Sequence, residues 1–245
     1  MREQAKTGLE SVAEAEACCW AAVWNWGIAG TFATVINVLS DIYDTFVLAQ
    51  IFKVDEATIC RAIKRIASLA ERILKVKHDP TLSENDLQLL IIDATEQRIE
   101  RPKNQRDYCS GKAHVTIKTE VVIEPKGRIL RVSKPYEGRV HDFEIRKTEG
   151  PLPAVPILAD SGYQGLQNEH SAAVILPKKK PKNGSLSASD QARNTKLARC
   201  RIAIEHTFAH LKKWHILAAR YRGHLDSYPQ IFQTIAGIYN LSRAG

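Results

Sequence analysis

What the chain lacks narrows it first. Its five cysteines, Cys18, Cys19, Cys60, Cys109 and Cys200, are odd in number, scattered, and include no C-x-x-C pair. That argues against a disulfide framework and fits a reduced cytosolic setting. The histidines are equally dispersed and do not combine with them in a zinc spacing. Residues 17–39 carry no charge and are about as long as a membrane span, roughly 20 residues. They lack the positive flank of a signal segment, since Glu10, Glu14 and Glu16 precede them, and Asn25, Gly27, Gly30, Thr31, Thr34 and Asn37 dilute them. The expectation is a partly buried helical region without membrane insertion; residues 1–40 as a whole stay unassigned, as a truncated or altered start.

What is present is basic. Thirty-five Lys and Arg against 27 Asp and Glu leave a net charge of +8 and a pI of about 9.3, which favours a polyanionic partner. The 245 residues are enough for one large domain, or a moderate one with a small companion.

Residues 41–78 read as the small companion. Val47, Leu48, Ile51, Val54, Ile59, Ile63, Ile66 and Leu69 recur at largely helical spacing, and "KVDEAT" breaks the pattern. Asp55 is a good N-cap for a second helix, and Ala49 is a small contact residue between the two. A helix-turn-helix is expected, with Arg61, Lys64 and Arg65 available to DNA. Any small helical hairpin packs in this way, however, and Lys53 stands where such turns often carry glycine. Turn formers in residues 78–88 then close this part.

Residues 86–243 read as an α/β domain with a mixed sheet, strands first and helices last. "LLIID" and "PILAD" are each an apolar run stopped by an aspartate, Asp93 and Asp160. Ligands of α/β sheets gather beyond the carboxyl ends of strands, so both aspartates are expected at one site. Further on, Arg201, Glu205 and Lys212 fall on one stripe of a helix at about 100° per residue. Leu197, Ile204 and Leu211 form the apolar stripe beside it. Two aspartates and a glutamate in one place are hard oxygen donors for two Mg²⁺ or Mn²⁺ ions, and such a pair serves in-line attack on a phosphodiester. Arg201 and Lys212 would then contact backbone phosphates. The basic loop "PKKKPKNG", with Lys178, Lys179 and Lys180, either follows a DNA backbone or is a plain solubilising loop. His141 and Asp142 in "GRVHDF" offer a rival carboxylate, which at a helix start is often only a cap; they are assigned a supporting role.

The blocks "IIDATEQRIERP", "YCSGKAHVTIKTEVVIEPKGRI", "GRVHDFEI", "LADSGYQGL", "LPKKKPKNG", "RIAIEHTFAHLKKWHIL" and "IAGIYNL", in that order, resemble bacterial insertion-sequence transposases of the DDE superfamily, in the branch named after insertion sequence five. The resemblance spans about residues 40–243. It implies an RNase H-like fold with Asp93 on the first strand, Asp160 at the end of the fourth and Glu205 on a later helix, all three serving as catalytic metal ligands. It further implies metal-dependent cleavage and strand transfer, transposon-end and target DNA as partners, a homo-oligomer on DNA, and the bacterial nucleoid as location. A DNA binder with a dead catalytic half, or a related nuclease that does not join strands, are the other readings. One departure is plain: related glutamate blocks often carry a tyrosine where this chain has Ala198.

Overall fold

The computed structural model describes residues 87–243 apart from 101, 103, 104, 112, 113, 182 and 183, together with residues 46, 49, 50, 53–58, 60, 61, 72, 74 and 76. Residues 1–40, and with them the uncharged stretch 17–39, lie outside the described residues, as do Lys64 and Arg65. By its contacts the chain divides into a unit ending at Ala70 and a unit Glu71–Ala244.

In the first unit a helical turn at Ala49–Gln50 gives way to a bend, with the Val54 N–H donating to Ala49 O at 3.0 Å. Lys53 takes φ +52° there, a left-handed value at the position where such turns often carry glycine. The Asp55 carboxylate accepts from the Ala57 N–H at 3.1 Å and starts the helical residues Glu56–Thr58. Arg61 is exposed and its guanidinium donates to Thr58 Oγ1 at 3.1 Å. Most of the expected helix-turn-helix lies outside the described residues.

The second unit holds a six-stranded mixed sheet flanked by helices. In chain order it runs β1 (Leu90–Arg98), α1 (Gln105–Tyr108), β2 (Thr116–Ile123), β3 (Ile129–Val132), β4 (Tyr136–Glu137), α2 (Asp142–Thr148), β5 (Ile157–Ala159), β6 (Val174–Ile175), α3 (Ala188–Leu211), α4 (His215–Ala218) and α5 (Tyr228–Arg243). The sheet order is β3-β2-β1-β5-β6, with β4 also on β2. β1, β2 and β3 are antiparallel; β1, β5 and β6 are parallel.

Period-two alternation decides which side chain of β1 meets which layer. Ile91 joins Ile117, Val121, Ile204, Phe208, Leu211, Phe232 and Ile235 in the core under α3 and α5. Leu90 and Ile92 join Val122, Ile157, Ala159 and Tyr163 on the opposite face, where Phe143 of α2 packs. Each fully buried leucine or isoleucine contributes about 1.5–3 kcal/mol, so this two-sided burial is what fixes β1 at the centre.

Two expectations are corrected here. Asp93 does not end its strand, because β1 continues to Arg98 along β2. It stands where β1 loses its other neighbour, since β5 pairs only with residues 90–92 and stops at Ala159. Asp160 accordingly follows the fifth strand in chain order, the short β4 having gone unseen in the sequence. Among the helices that follow, α3 ends at Leu211. The N–H groups of Lys213 and Trp214 bond three residues back, to His210 and Leu211 at 3.2 Å each, a tightened last turn before α4.

Candidate active site

The register fixes the first two acids. Ile92 pairs with Ala159 across parallel strands, so Asp93 and Asp160 are the next residues on each, side by side at the carboxyl end of β5. Asp93 shares a face with Ile91, which α3 covers, and α3 brings Arg201 onto it. Arg201 Nη2 donates to Asp93 Oδ2 at 3.0 Å and Nη1 to Asp160 Oδ1 at 3.1 Å, while Glu205 Oε1, one turn along α3, lies 3.7 Å from Nη2. One guanidinium therefore gathers all three acids named from the sequence.

Their surroundings differ. The Arg201 and Asp93 side chains are only 16% and 17% exposed, against 44% for Asp160 and 61% for Glu205. Burial raises the Asp93 carboxyl to about 6, against the pull of Arg201 and of the Ala94 N–H, which donates to Asp93 Oδ1 at 2.8 Å; Asp160 and Glu205 add to the rise. Arg201 Nε is buried without a hydrogen-bond partner. Among the described residues no three His, Cys, Asp or Glu side chains form a ready-made metal cage. The donor set nonetheless fits hard divalent cations: every group is a carboxylate, and three of them face a single arginine, so among the described residues two negative charges stay unmatched.

A second layer holds the turn after Asp160. Asp142 is the first residue of α2 rather than its cap, which is His141, an exposed residue whose side chain makes no capping bond. The Asp142 carboxylate instead accepts from Lys118 Nζ at 3.0 Å, and Lys118 also reaches Val140 O at 2.9 Å. A Cβ at Gly162 would come within 2.6 Å of Asp142 Oδ2, and one at Gly165, where φ is +107°, within 2.7 Å of the Phe143 ring. These two glycines let the segment following Asp160 lie close on α2. Asp142 thus packs against the turn that follows Asp160, and sequence reading missed its partner Lys118. It also missed a buried pair on the far face of the sheet: Glu120, opposite Ala94 on β2, accepts from Arg146 of α2. A charged residue inside the apolar run "TEVVI" was the available signal.

The basic residues are distributed unevenly. Lys178 is held, its Nζ on Asp190 at 2.7 Å and its backbone N–H on Asn194 Oδ1 at 2.9 Å. Lys179 and Lys180 are exposed. Lys212 is exposed at the C-cap of α3, beyond Glu205 on the helix that carries Arg201.

Residues 92–240 match a family model described as DDE superfamily endonuclease. The chain belongs to the DDE superfamily endonucleases. The match runs from β1 into α5 and so contains every residue of the Arg201 cluster. This DDE endonuclease is also similar to the probable transposase for insertion sequence element IS702 of Microchaete diplosiphon, at 34% identity over 197 residues, 77% of this chain and 71% of that relative. No solved structure matches it. Among the described residues, no helix is long and apolar enough to cross a membrane.

Proposed function

We infer that this DDE endonuclease is a transposase, of the branch named after insertion sequence five and with an RNase H-like catalytic fold. It cuts the ends of its element by hydrolysis and joins the freed 3′-hydroxyl to target DNA, acting as an oligomer on DNA at the bacterial nucleoid. One observation carries the reading: Asp93 and Asp160 are adjacent by strand register, and both are hydrogen-bonded to the arginine that lies one turn before Glu205.

Asp93, Asp160 and Glu205 would hold two Mg²⁺ or Mn²⁺ ions. Such ions generate the attacking oxygen nucleophile and stabilise the leaving oxygen in an in-line displacement at phosphorus. The protein's own part is positional. The β1–β5 register fixes two acids as rigidly as the sheet itself, and the core residues Ile204, Phe208 and Leu211 hold the helix that carries the third. Arg201 plays two successive parts. It is the counter-ion that keeps crowded carboxylates tolerable, and once they are otherwise neutralised its planar fork is free for a DNA phosphate. Lys212 lies further along the same helix as a second phosphate contact.

The test uses purified protein, duplex DNA bearing the element's ends, and Mg²⁺ or Mn²⁺, comparing the parent with Asp93→Ala, Asp160→Ala and Glu205→Ala. The parent is expected to nick and join, and each variant to do neither. Equal nicking by all four proteins refutes the site. Nicks without joined products would identify a nuclease, and binding without nicks a DNA-binding protein whose catalytic half is dead.

A further inference from the structure

α3 is 24 residues long, about 36 Å, yet every side chain it fully buries lies in its second half: Ile204, Thr207, Phe208 and Leu211. From Ala188 to Cys200 no side chain is buried, and only Asp190, Asn194 and Leu197 are half-covered. The first half is therefore an arm that touches the core only through Leu197. Asn194 and Lys178 exchange two hydrogen bonds of 2.9 Å, which strap the preceding loop along it.

The arm and its loop concentrate the chain's charge. Residues 177–200 contain seven of the 35 Lys and Arg but one of the 27 Asp and Glu, hence six of the eight net positive charges. The single acid, Asp190, is taken up by Lys178 and by the N-cap Ser187. Arg193, Lys196 and Arg199 are exposed and form no ion pair with a described residue. Spaced three apart, they lie within about 120° of one another along some 9 Å of helix, the axial length of two to three nucleotide steps at ~3.4 Å each. A row of exposed cations on a helical segment held to the core only by Leu197 is matched by a row of phosphates rather than by an apolar partner.

We propose that Arg193, Lys196 and Arg199 on the exposed arm of α3 bind the phosphate backbone of duplex DNA. The proposal rests on the transposase reading and adds to it a binding surface. Charge fixes the occupant. The row lies within about 12 Å of Arg201 along one helix, with Arg193, Lys196 and Arg199 turned about 80°, 140° and 160° round it from Arg201, so it is a surface of its own beside the acids. Six net positive charges on this short segment call for a polyanion there.

The test is the salt dependence of binding of the full chain to a duplex of about 30 base pairs, in EDTA so that cleavage plays no part. Removing one cation from a phosphate lowers the slope of log Kd against log salt by ~0.9. The triple variant Arg193→Gln/Lys196→Gln/Arg199→Gln is expected to reduce that slope by about 2 to 3. The charge-matched control Lys126→Gln/Lys134→Gln/Arg222→Gln, at exposed positions elsewhere, is expected to reduce it by less than ~1. Glutamine keeps helix propensity, and Arg193→Lys/Arg199→Lys should retain the parental slope, which separates charge from folding. An arm variant that behaves like the control overturns the proposal and leaves the transposase reading standing. A parent that does not bind duplex DNA at all removes both.

Discussion

The sheet carries a carboxylate-arginine cluster on each face, and the two are built to opposite ends. Under α2, Glu120 meets Arg146 one to one; both side chains are almost wholly buried, and Arg146 Nη2 also donates to Gly150 O at 2.6 Å. Under α3, Arg201 meets three carboxylates, two of which reach solvent. The desolvation cost is similar, for burial raises Glu120 to about 7 against the pull of Arg146, and Asp93 to about 6 against that of Arg201. What differs is stoichiometry. A matched pair has no use for another cation, whereas a cluster short of positive charge and open at one side is a place for one.

The largest effect expected from this contrast is on stability. Arg146→Met leaves Glu120 buried without its partner and should cost about 3–5 kcal/mol, read by denaturant unfolding without metal. Adding Glu120→Leu should recover most of it, since a buried ion pair exchanged for apolar side chains of similar volume is often neutral or better. Neither change should move Mn²⁺ affinity at temperatures where the protein is folded. If either weakens Mn²⁺ binding several-fold, the two clusters are one system and the contrast fails.

Proton linkage comes next. Glu120 holds its proton up to about 7 in the folded chain against an ordinary 4.5, and Asp93 up to about 6 against 3.8. Between these values the unfolded chain has already released protons that the folded one keeps. Stability of the metal-free protein therefore falls as pH rises from about 4 to 7, by at most ~1.4 kcal/mol per pH unit for each group. Glu120→Gln should flatten the upper part of that fall, and saturating Mn²⁺ the lower part, because the proposed ion site is the Asp93 cluster. A stability that climbs over this range in the metal-free parent would contradict both shifts.

What the sequence made legible was whatever is written locally. Apolar runs ending in Asp93 and Asp160, and the helical stripe of Arg201, Glu205 and Lys212, are short-range patterns, and the structure brings Asp93, Asp160 and Glu205 to one guanidinium. What stayed hidden depends on distant partners. Asp93 lies inside its strand because β2, some 25 residues on, continues the pairing to Arg98. Lys118 and Asp142 are 24 residues apart, Glu120 and Arg146 26, and no periodicity links either pair. The arm of α3 escaped for a different reason: Leu197 is its one apolar contact with the core, so the pattern there is mostly of charge.

The finest test of the contrast is Arg201 itself. If it serves as the cluster's resident counter-ion, Mn²⁺ must displace it, and the hydrogen bonds it makes to Asp93 and Asp160 oppose metal binding. Arg201→Gln should then bind Mn²⁺ more tightly, by about tenfold or ~1.4 kcal/mol, the scale of one charge-assisted hydrogen bond. The metal-free variant should melt lower, because three carboxylates remain with no cation among them. Affinity in the parent should drop below about pH 6, where a proton on Asp93 competes with the ion, and in the variant the drop should begin at higher pH, because Arg201 no longer pulls that carboxyl down. Displacement also couples the two ligands of the site. A guanidinium released by metal is available to phosphate, so in the parent Mn²⁺ should tighten duplex binding and duplex should tighten Mn²⁺ by the same factor, and in Arg201→Gln that factor should shrink towards one. Weaker Mn²⁺ binding by the variant would mean that Arg201 supports the metal's ligands instead of standing in for it, and the two arginines on the sheet would then do the same job.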